Sequence, residues 1–421
     1  MARRALPVHQ ICVFVVALGF GMSCASSVSS TVTDDRPNAR APLAFTGAAW
    51  GSTVKVDPPY VGSGKSAYVS LGCTRQDDKT VTDALPAHQV PELADIGDVS
   101  STISSGSEGA STYTSTGLST VSGASVQGGR IVVGAINALV TATSDIDGYH
   151  AALDLTISIL TVDGVEVELT GGEQVIEVPG LAEITVAKQK LKELPQRSKA
   201  KVTAVKIELF ESGAVVKLGQ ARAGTDGRAI NAVFTGASYG TKVTVADEVT
   251  SGRSAVKSFP CVGTSGEDLV KDRDLVKLGP VGKAEDLVST VNAVQLPLPE
   301  ATATSTIGHL ALVDGRVVID GVTAVAHVTQ NADGTVELDT SGTLITTLTV
   351  DGVPVELPEE GGEVVLAGIG TLTYRAVTVL DGGDGVEMIA AQLHEDATDT
   401  DVVICRAAAT IGGYKPAAPS T

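Results

Sequence analysis

The chain has 421 residues, a net charge of −19 and only 3% aromatic residues. Such an acidic surface repels phosphate backbones, so the composition argues against nucleic acid as a partner. With 43% apolar residues and few aromatics, the core must be aliphatic, and the abundance of Val and Thr favours strands.

The N-terminus has the pattern of a signal peptide. Arg3 and Arg4 precede an apolar run over Ile11–Met22, which has the length of a signal peptide's hydrophobic region and is short for a membrane span. We predict a signal peptide over residues 1–25, with cleavage after Ala25 and export of the mature chain.

Cys24 leaves a second form of processing open. Acylation of this cysteine after cleavage before it would make the protein a membrane-anchored lipoprotein. Residues 26–42 are rich in Ser, Thr and Pro, and we expect them to form a flexible linker. No later segment is apolar enough to predict a transmembrane span in the mature chain.

The chain contains one domain twice. Thr161–Leu169 reads TVDGVEVEL and Thr349–Leu357 reads TVDGVPVEL, an offset of 188 residues by subtraction. FTGAAWG from Phe45 matches FTGASYG from Phe234. The predicted divisions are β domain copy 1 at 43–224, a linker at 225–230, β domain copy 2 at 231–411 and a disordered tail at 412–421.

Short strands separated by glycine turns predict an all-β fold. Asp163-Gly164 and Asp351-Gly352 stand between β-branched runs, which is typical of type I′ hairpins. We expect two tandem β-sandwich or partly closed barrel domains, the two topologies remaining open. Glu285–Val291 could form a short helix, and Lys188–Leu194 predicts an elongated hairpin or loop insertion without a counterpart in copy 2.

Cysteine spacing predicts one disulfide. Cys73 and Cys261 occupy equivalent positions in the two copies, whereas Cys405 aligns roughly with Gln220. We expect Cys261–Cys405 to pair within copy 2, in an oxidising compartment. Cys73 could then pair with Cys24, pair between molecules or stay free. A Cys73–Cys261 bridge is the alternative that would leave Cys405 unpaired, and no CxxC spacing predicts a metal site.

Two motifs resemble catalytic signatures, and each lacks its required context. Gly62–Ser66 ends like a phosphate-binding loop, but Pro59 replaces the first glycine, and copy 2 has Arg253 in place of Lys65. Gly236–Gly240 matches G-x-S-x-G, but a strand-like sequence follows it, and copy 1 has Ala49 in place of the serine. We predict no catalytic residues and no cofactor.

Metal binding has little support in the sequence. None of the scattered histidines aligns with a histidine in the other copy, so we predict no zinc site. Asp-Gly turns such as Asp145–Gly148 and Asp333-Gly334 offer oxygen ligands for calcium, but solvated turns need no metal. Calcium-stabilised adhesion therefore stays an alternative.

The paired segments GRIVVGAINALVTA from Gly129 and GRVVIDGVTAVAH from Gly315, with Cys405-Arg406 near the end, are similar to the choice-of-anchor P family. This resemblance implies an exported, β-rich actinobacterial surface protein with no established activity. The chain lacks a recognisable C-terminal sorting signal or span, which departs from anchored members.

The predicted function is therefore a secreted or cell-envelope-associated, non-enzymatic structural or interaction protein. Its partner is unknown and could be an envelope component or a protein, with nucleic acid excluded. The alternative is a hydrolase of envelope polymers, which would gather carboxylates, His or Ser in one pocket.

Overall fold

A computed structural model describes residues 31–33, 40–55, 65–90, 92–109, 111–229, 231–245, 249–250, 253–380 and 384–412. The predicted signal peptide, including Cys24, and the chain beyond Gly412 lie outside the described residues. Among the described residues, no helix is long and apolar enough to cross a membrane.

Copy 1 consists of short and long strands. They are β1 (Thr31–Thr33), β2 (Arg40–Lys55), β3 (Val69–Gln76), β4 (Thr80–Leu85), β5 (His88–Val90), β6 (Ala94–Ile96), β7 (Val99–Glu108), β8 (Thr112–Val121), β9 (Ala124–Val126), β10 (Ile131–Val133), β11 (Ile136–Asp145), β12 (Gly148–Ile157), β13 (Leu160–Val162), β14 (Val165–Glu166), β15 (Gln174–Val178), β16 (Ala182–Leu194), β17 (Arg197–Leu209) and β18 (Val215–Asp226).

Copy 2 adds one 3-10 turn, Gly279–Val281, to its strands. These are β19 (Val233–Val245), β20 (Val249–Thr250), β21 (Lys257–Ser258), β22 (Leu269–Lys277), β23 (Gly282–Val294), β24 (Glu300–Leu312), β25 (Val317–Gln330), β26 (Val336–Asp339), β27 (Leu344–Val350), β28 (Val353–Pro354), β29 (Gly362–Leu366), β30 (Gly370–Leu380), β31 (Gly385–Glu395) and β32 (Thr400–Gly412).

The strands form antiparallel sheets that confirm the all-β prediction. In copy 1, sheet I has the order β15-β16-β17-β18-β2-β3 and packs against sheet II, β1-β4-β7-β8-β11-β12. Sheet III, β14-β13-β10-β9-β6-β5, continues from sheet II through backbone bonds such as Gly97 N to Gly123 O. Copy 2 has sheet IV, β20-β19-β32-β31-β30-β29 with β21 on β19, and sheet V, β22-β23-β24-β25-β27-β28 with β26 on β25. Each copy is a β-sandwich, and the described sheets do not close into a barrel.

A left-handed residue interrupts the alternation of several strands. In β18, Val216 and Leu218 are buried before Gly219, and Ala221 is buried after it, so the inward-facing positions change parity there. Gly219 has φ +60°, and the same place in β32 is taken by Cys405, with φ +49°. Glycine adopts this conformation freely and cysteine does not, so the kink is a property of the repeated fold.

The short helix expected at Glu285–Val291 is wrong, because these residues lie within β23. Ala284, Leu287 and Val291 are buried at the spacing i, i+3, i+7, which is also the spacing of one helix face. The left-handed residue Asp286, at φ +54°, shifts the parity of the strand and so produces this spacing.

Lys188–Leu194 is the end of β16, as the hairpin prediction expected. The expected lack of a counterpart is wrong, because β30 and β31 form the equivalent hairpin in copy 2. Thr31–Thr33 pairs with β4, and β2 begins at Arg40, so parts of the segment expected to be a linker are strands.

Candidate binding cleft between the two copies

One disulfide joins the two copies, and it corrects the predicted pairing. Cys73 is bonded to Cys261, with 5.4 Å between the Cα atoms, and Cys405 is a buried free thiol. The Cys405 side chain points into the core of copy 2, where its Sγ lies 3.8 Å from the Val322 carbonyl oxygen. Cys261 instead lies on the side of copy 2 that meets copy 1, so the two cannot approach one another.

The copies meet through equivalent residues. The apolar contact at the disulfide includes Ala44, Ala229 and Val233, which are all buried. Beside it, a cleft of about 640 Å³ is lined by both copies. The lining residues of copy 1 and their counterparts in copy 2 are Thr46 with Thr235, Gly47 with Gly236, and Ser70 with Ser258. Contact between like surfaces is the arrangement of a two-fold interface, here within one chain.

One wall of this cleft is strongly basic. Its residues come from sheet I of copy 1 and are Lys190, Lys192, Lys199, Lys201 and Arg222. We call this set the basic wall. Copy 2 covers part of β2 and β3, whereas the outer face of β16, β17 and β18 stays open, and all five basic side chains are exposed.

The basic wall places like charges directly opposite one another. Lys190 pairs with Lys201 and Lys192 with Lys199 across β16 and β17, and Lys201 is also opposite Arg222 of β18. Like charges directly opposite one another destabilise a sheet by up to about 1 kcal/mol per pair. Among the described residues, none of these five side chains forms an ion pair. The sheet therefore holds uncompensated positive charge in an acidic protein.

Two lysines of sheet I have lowered pKa values, mainly because the strands around them desolvate the charge and secondarily because other cations lie nearby. Desolvation, followed by the nearby Arg197, lowers the pKa of Lys199, although Asp226 opposes the effect. Partial burial and then Lys55, Lys206 and Lys201 lower the pKa of Lys217 on the same sheet. Positive charge therefore extends from the cleft along the outer face of sheet I.

Copy 2 lacks the basic wall. The left-handed residues Ala187 and Arg375 fix the alignment of the two hairpins, so Lys190 and Lys192 correspond to Thr378 and Leu380. On the next strand, Lys201 corresponds to Glu387, which forms an ion pair with Arg406. Because the fold of copy 2 persists without these lysines, the basic wall is not a requirement of the fold.

The basic wall was not predicted from the sequence, although a local signal for it is present. Lysines at 188, 190 and 192, and then Arg197, Lys199 and Lys201, recur every second residue. In a strand this spacing places the charges on one face. The net charge of the whole chain concealed that signal.

In copy 1, the end of the phosphate-loop-like motif bonds to Gly47–Ser52, the segment that corresponds to the G-x-S-x-G region of copy 2. Gly51 N donates to Ser66 O at 2.9 Å, and Ser66 Oγ contacts Ser52 Oγ at 2.7 Å. These bonds hold the Lys65 Nζ 4.3 Å from the centre of the Trp50 ring. The Lys65 Nζ also lies 4.1 Å from the Tyr68 ring centre. A cation over an aromatic face is a favourable contact.

Copy 2 repeats this arrangement. Gly240 N donates to Ser254 O at 3.0 Å, and Ser254 Oγ lies 2.6 Å from Thr241 Oγ1. Arg253 then lies over Tyr239, with its Cζ 5.2 Å from the ring centre. The shared element, which we call the aromatic clip, therefore has a structural role. Gly62–Gly64 of the phosphate-loop-like motif lie outside the described residues.

The serine of the G-x-S-x-G motif lacks the setting of a nucleophile. Ser238 lies within the continuous strand β19 and is fully buried. Its Oγ donates to the Thr290 carbonyl oxygen at 3.1 Å. A hydrolase serine would instead stand exposed on a strand-to-helix turn.

The carboxylates of the acidic turns accept hydrogen bonds from residues of the same turn. Asp145 Oδ1 accepts from the N–H groups of Asp147 and Gly148, and Asp333 Oδ1 accepts from Thr335. Bonds from Thr335 lower the pKa of Asp333. His309 Nδ1 lies 2.7 Å from Asp320 Oδ1 on an exposed strand face. No group of three or more potential metal ligands occurs among the described residues.

Comparisons with known proteins give no family. No family model matches the chain, and no curated protein matches it. Two solved structures are similar at low level. Transferrin binding protein B of Haemophilus parasuis has 7% identity over 89% of this chain and 78% of its own, with a TM-score of 0.12. Intact Ap-TbpB, with its N and C lobes, has 10% identity over 90% and 80%, also with a TM-score of 0.12. Similarity at this level supports no inference about function.

Proposed function

We propose that this chain is an exported, non-enzymatic interaction protein that binds its partner in the cleft between the two copies. The observation that carries the proposal is the composition of that cleft. Both copies line it, the disulfide borders it, and one copy alone contributes the basic wall. A surface assembled in this way is suited to binding, and Ser238, the serine of the hydrolase alternative, is buried away from it.

Export is supported by two independent features. The N-terminal sequence has the pattern of a signal peptide, and the disulfide is of a kind that persists in oxidising compartments. The resemblance to the choice-of-anchor P family agrees with a location at the cell surface. The anchoring alternatives, release after Ala25 or acylation at Cys24, are part of the test.

The first experiment measures the intact mass of the protein from the culture medium and from the envelope fraction of the producing cells. A mature species that begins at residue 26 or at an acylated Cys24 supports export. An uncleaved, fully reduced intracellular species would overturn it.

The second experiment measures binding by sedimentation with envelope fragments. We expect the wild-type protein to sediment with the fragments and the C73S/C261S variant to sediment less, because its cleft is no longer held together. Hydrolysis of the envelope polymer by the purified protein, with release of soluble fragments, would favour the hydrolase instead.

A further inference from the structure

We propose that the cleft binds a linear anionic polysaccharide, whose sulphate, phosphate or carboxylate groups contact the basic wall. This inference rests on the proposed function and specifies its ligand. Three properties of the cleft support this ligand: the spacing of the basic side chains, the open face on which they lie, and the polar groups of the remaining lining.

The charges are spaced as a repeating polymer requires. Lys190 and Lys192 are two residues apart on one strand, a distance of about 6.5 to 7 Å, and neighbouring strands are about 4.8 Å apart. Lys199, Lys201 and Arg222 extend the same rows across β17 and β18. The result is a two-dimensional array of cations along which a chain with regularly spaced anions can lie.

Lysine side chains are suited to binding a flexible polymer that carries anionic groups. An ammonium group is a compact point charge with rotatable donors, and it binds anionic oxygens without a fixed geometry. The hydroxyls of Thr46 and Ser258 also line the cleft, where they can bond to the hydroxyls of sugars, whereas the Ser70 hydroxyl already donates to the Gly47 carbonyl oxygen. The lining therefore combines charge recognition with polar groups suited to a carbohydrate.

An acidic peptide fits less well. Peptides that bind sheets commonly add a strand at an exposed edge, which supplies main-chain hydrogen bonds. Three of the five side chains of the basic wall lie on β17 and β18, which are internal strands of sheet I with neighbours on both sides. Among the described residues, the part of β16 beyond Val186 pairs with β17 alone, because β15 pairs only with Ala182–Val186. A peptide added as a strand at that edge would lie beside the basic wall and not across its face, so it would contact fewer of the five charges.

Nucleic acids also fit less well. Single-stranded nucleic acid binds by stacking bases on exposed aromatic rings. Trp50 is 8% exposed, and Lys65 lies over both the Trp50 and the Tyr68 ring. A duplex would extend beyond the basic wall and meet the acidic remainder of a chain with net charge −19.

Trp50 provides a direct readout, because it is the only tryptophan of the chain and its ring centre lies 5.8 Å from the Cζ atom of Arg222. Dextran sulphate and polygalacturonate are titrated into the full mature chain while tryptophan fluorescence and calorimetry are recorded. Uncharged dextran is the control. We expect both polyanions to bind and uncharged dextran not to bind, with affinity falling steeply between about 50 and 200 mM salt.

Matched variants locate the binding site. K190Q/K192Q removes two charges of the basic wall on β16, and K271Q/K277Q removes two lysines of β22 in copy 2. We expect the first variant to bind polyanion about tenfold more weakly and to lower the salt dependence by about one to two ion contacts. The second variant should bind as the wild type does. If K190Q/K192Q binds polyanion as tightly as K271Q/K277Q does, the proposal is wrong.

Two further outcomes distinguish a failure of this inference from a failure of the proposed function. Polyglutamate or a dT20 oligonucleotide that binds more tightly than both polysaccharides, through the same lysines, would replace the polysaccharide with another polymer. If no polyanion binds while wild type and K190Q/K192Q sediment equally with envelope fragments, the interaction function stands and the polysaccharide inference fails.

Discussion

Cys73 and Cys261 are bonded to each other although each occupies the same position in its own copy, 188 residues apart. A bond between equivalent residues requires the two copies to face each other through the same surface, as the subunits of a symmetric dimer do. The cleft beside the disulfide is consequently symmetric in its lining from β2 and β19 and asymmetric in its basic wall.

The disulfide should be found by peptide mapping. Digestion without reduction is expected to release one linked pair of peptides containing Cys73 and Cys261. Closing a loop of 188 residues stabilises by at most about 5 kcal/mol in the chain-entropy model, so C73S/C261S should unfold at lower temperature. The variant Cys405→Ala should retain the linked pair, whereas a peptide joining Cys261 to Cys405 would contradict the structure.

Burial of Cys405 predicts a dependence of stability on alkaline pH. Desolvation raises the pKa of this thiol to about 12. Because the folded state holds the proton more tightly than the unfolded state, the contribution is complete below the ordinary pKa of about 8.5 and declines as the pH rises toward 12.

Urea unfolding at pH 8 and pH 10 measures this effect. The wild type should lose about 2 kcal/mol more than Cys405→Ala over this interval. Alkylation by iodoacetamide gives a second check, because Cys405 should react only after unfolding. An equal pH dependence in the two proteins would show that the thiol is not buried as described.

The aromatic clip predicts matched losses of stability in the two copies. Ser66 Oγ accepts from the Ser52 N–H at 2.7 Å, and Ser254 Oγ accepts from the Thr241 N–H at 2.7 Å. Replacing either serine with alanine leaves a buried N–H without that partner, at a cost of about 1 to 3 kcal/mol. Chemical unfolding of Ser66→Ala and Ser254→Ala should show similar decreases. A decrease in one copy alone would mean that the clip stabilises only that copy.

The sequence predicted the repeat, the strands and the hairpin turns because these depend on local signals. Asp163-Gly164 and Asp351-Gly352 have positive φ at both residues, as a type I′ turn requires. The cysteine pairing could not be predicted, since it depends on which surface of copy 2 meets copy 1. The helix at Glu285–Val291 failed because one left-handed residue, Asp286, converted the strand's period into a helix-like spacing.

The candidate cleft was predictable only in part. The alternating lysines around β16 and β17 carry a strand signal, but their position beside copy 2 follows from the arrangement of the copies and has no local signature. The Ser-Gly-Lys-Ser and Gly-x-x-aromatic-Gly segments were recognisable as a shared pair, yet only the fold shows that they bond to each other.

The repeated Arg–Asp pair predicts specific carboxylate titrations. Arg130 Nε lies 2.8 Å from Asp163 Oδ1, and Arg316 Nε lies 2.9 Å from Asp351 Oδ1. The hydrogen bonds from these arginines lower the pKa of each aspartate. Each pair therefore contributes stability that is present above the ordinary pKa of aspartate and is lost as the pH falls through the lowered value.

Carboxyl NMR titration of single variants tests this assignment. Arg130→Gln should raise the pKa of Asp163 and leave Asp351 unchanged, and Arg316→Gln should do the reverse. Both pairs are exposed, so salt should reduce the shift in the wild type. A titration of Asp163 that is unaffected by Arg130→Gln would mean that the pair does not persist in solution.

Finally, the basic wall predicts that a charge reversal will stabilise the fold while it weakens binding. Lys201→Glu places a carboxylate opposite both Lys190 and Arg222, where the native lysine repels them. Copy 2 already has an acid, Glu387, at the equivalent position, so the sheet accommodates this side chain. Removal of two like-charge contacts should increase the free energy of unfolding by about 0.5 to 2 kcal/mol.

Chemical unfolding at low salt measures the gain, and dextran sulphate titration should show the loss of affinity in the same protein. Stabilisation without loss of binding would separate the repulsion from the function, whereas destabilisation would show that the lysines are not in conflict. If both expected changes occur together, the repulsion within sheet I is a cost that the fold carries for binding an anionic ligand.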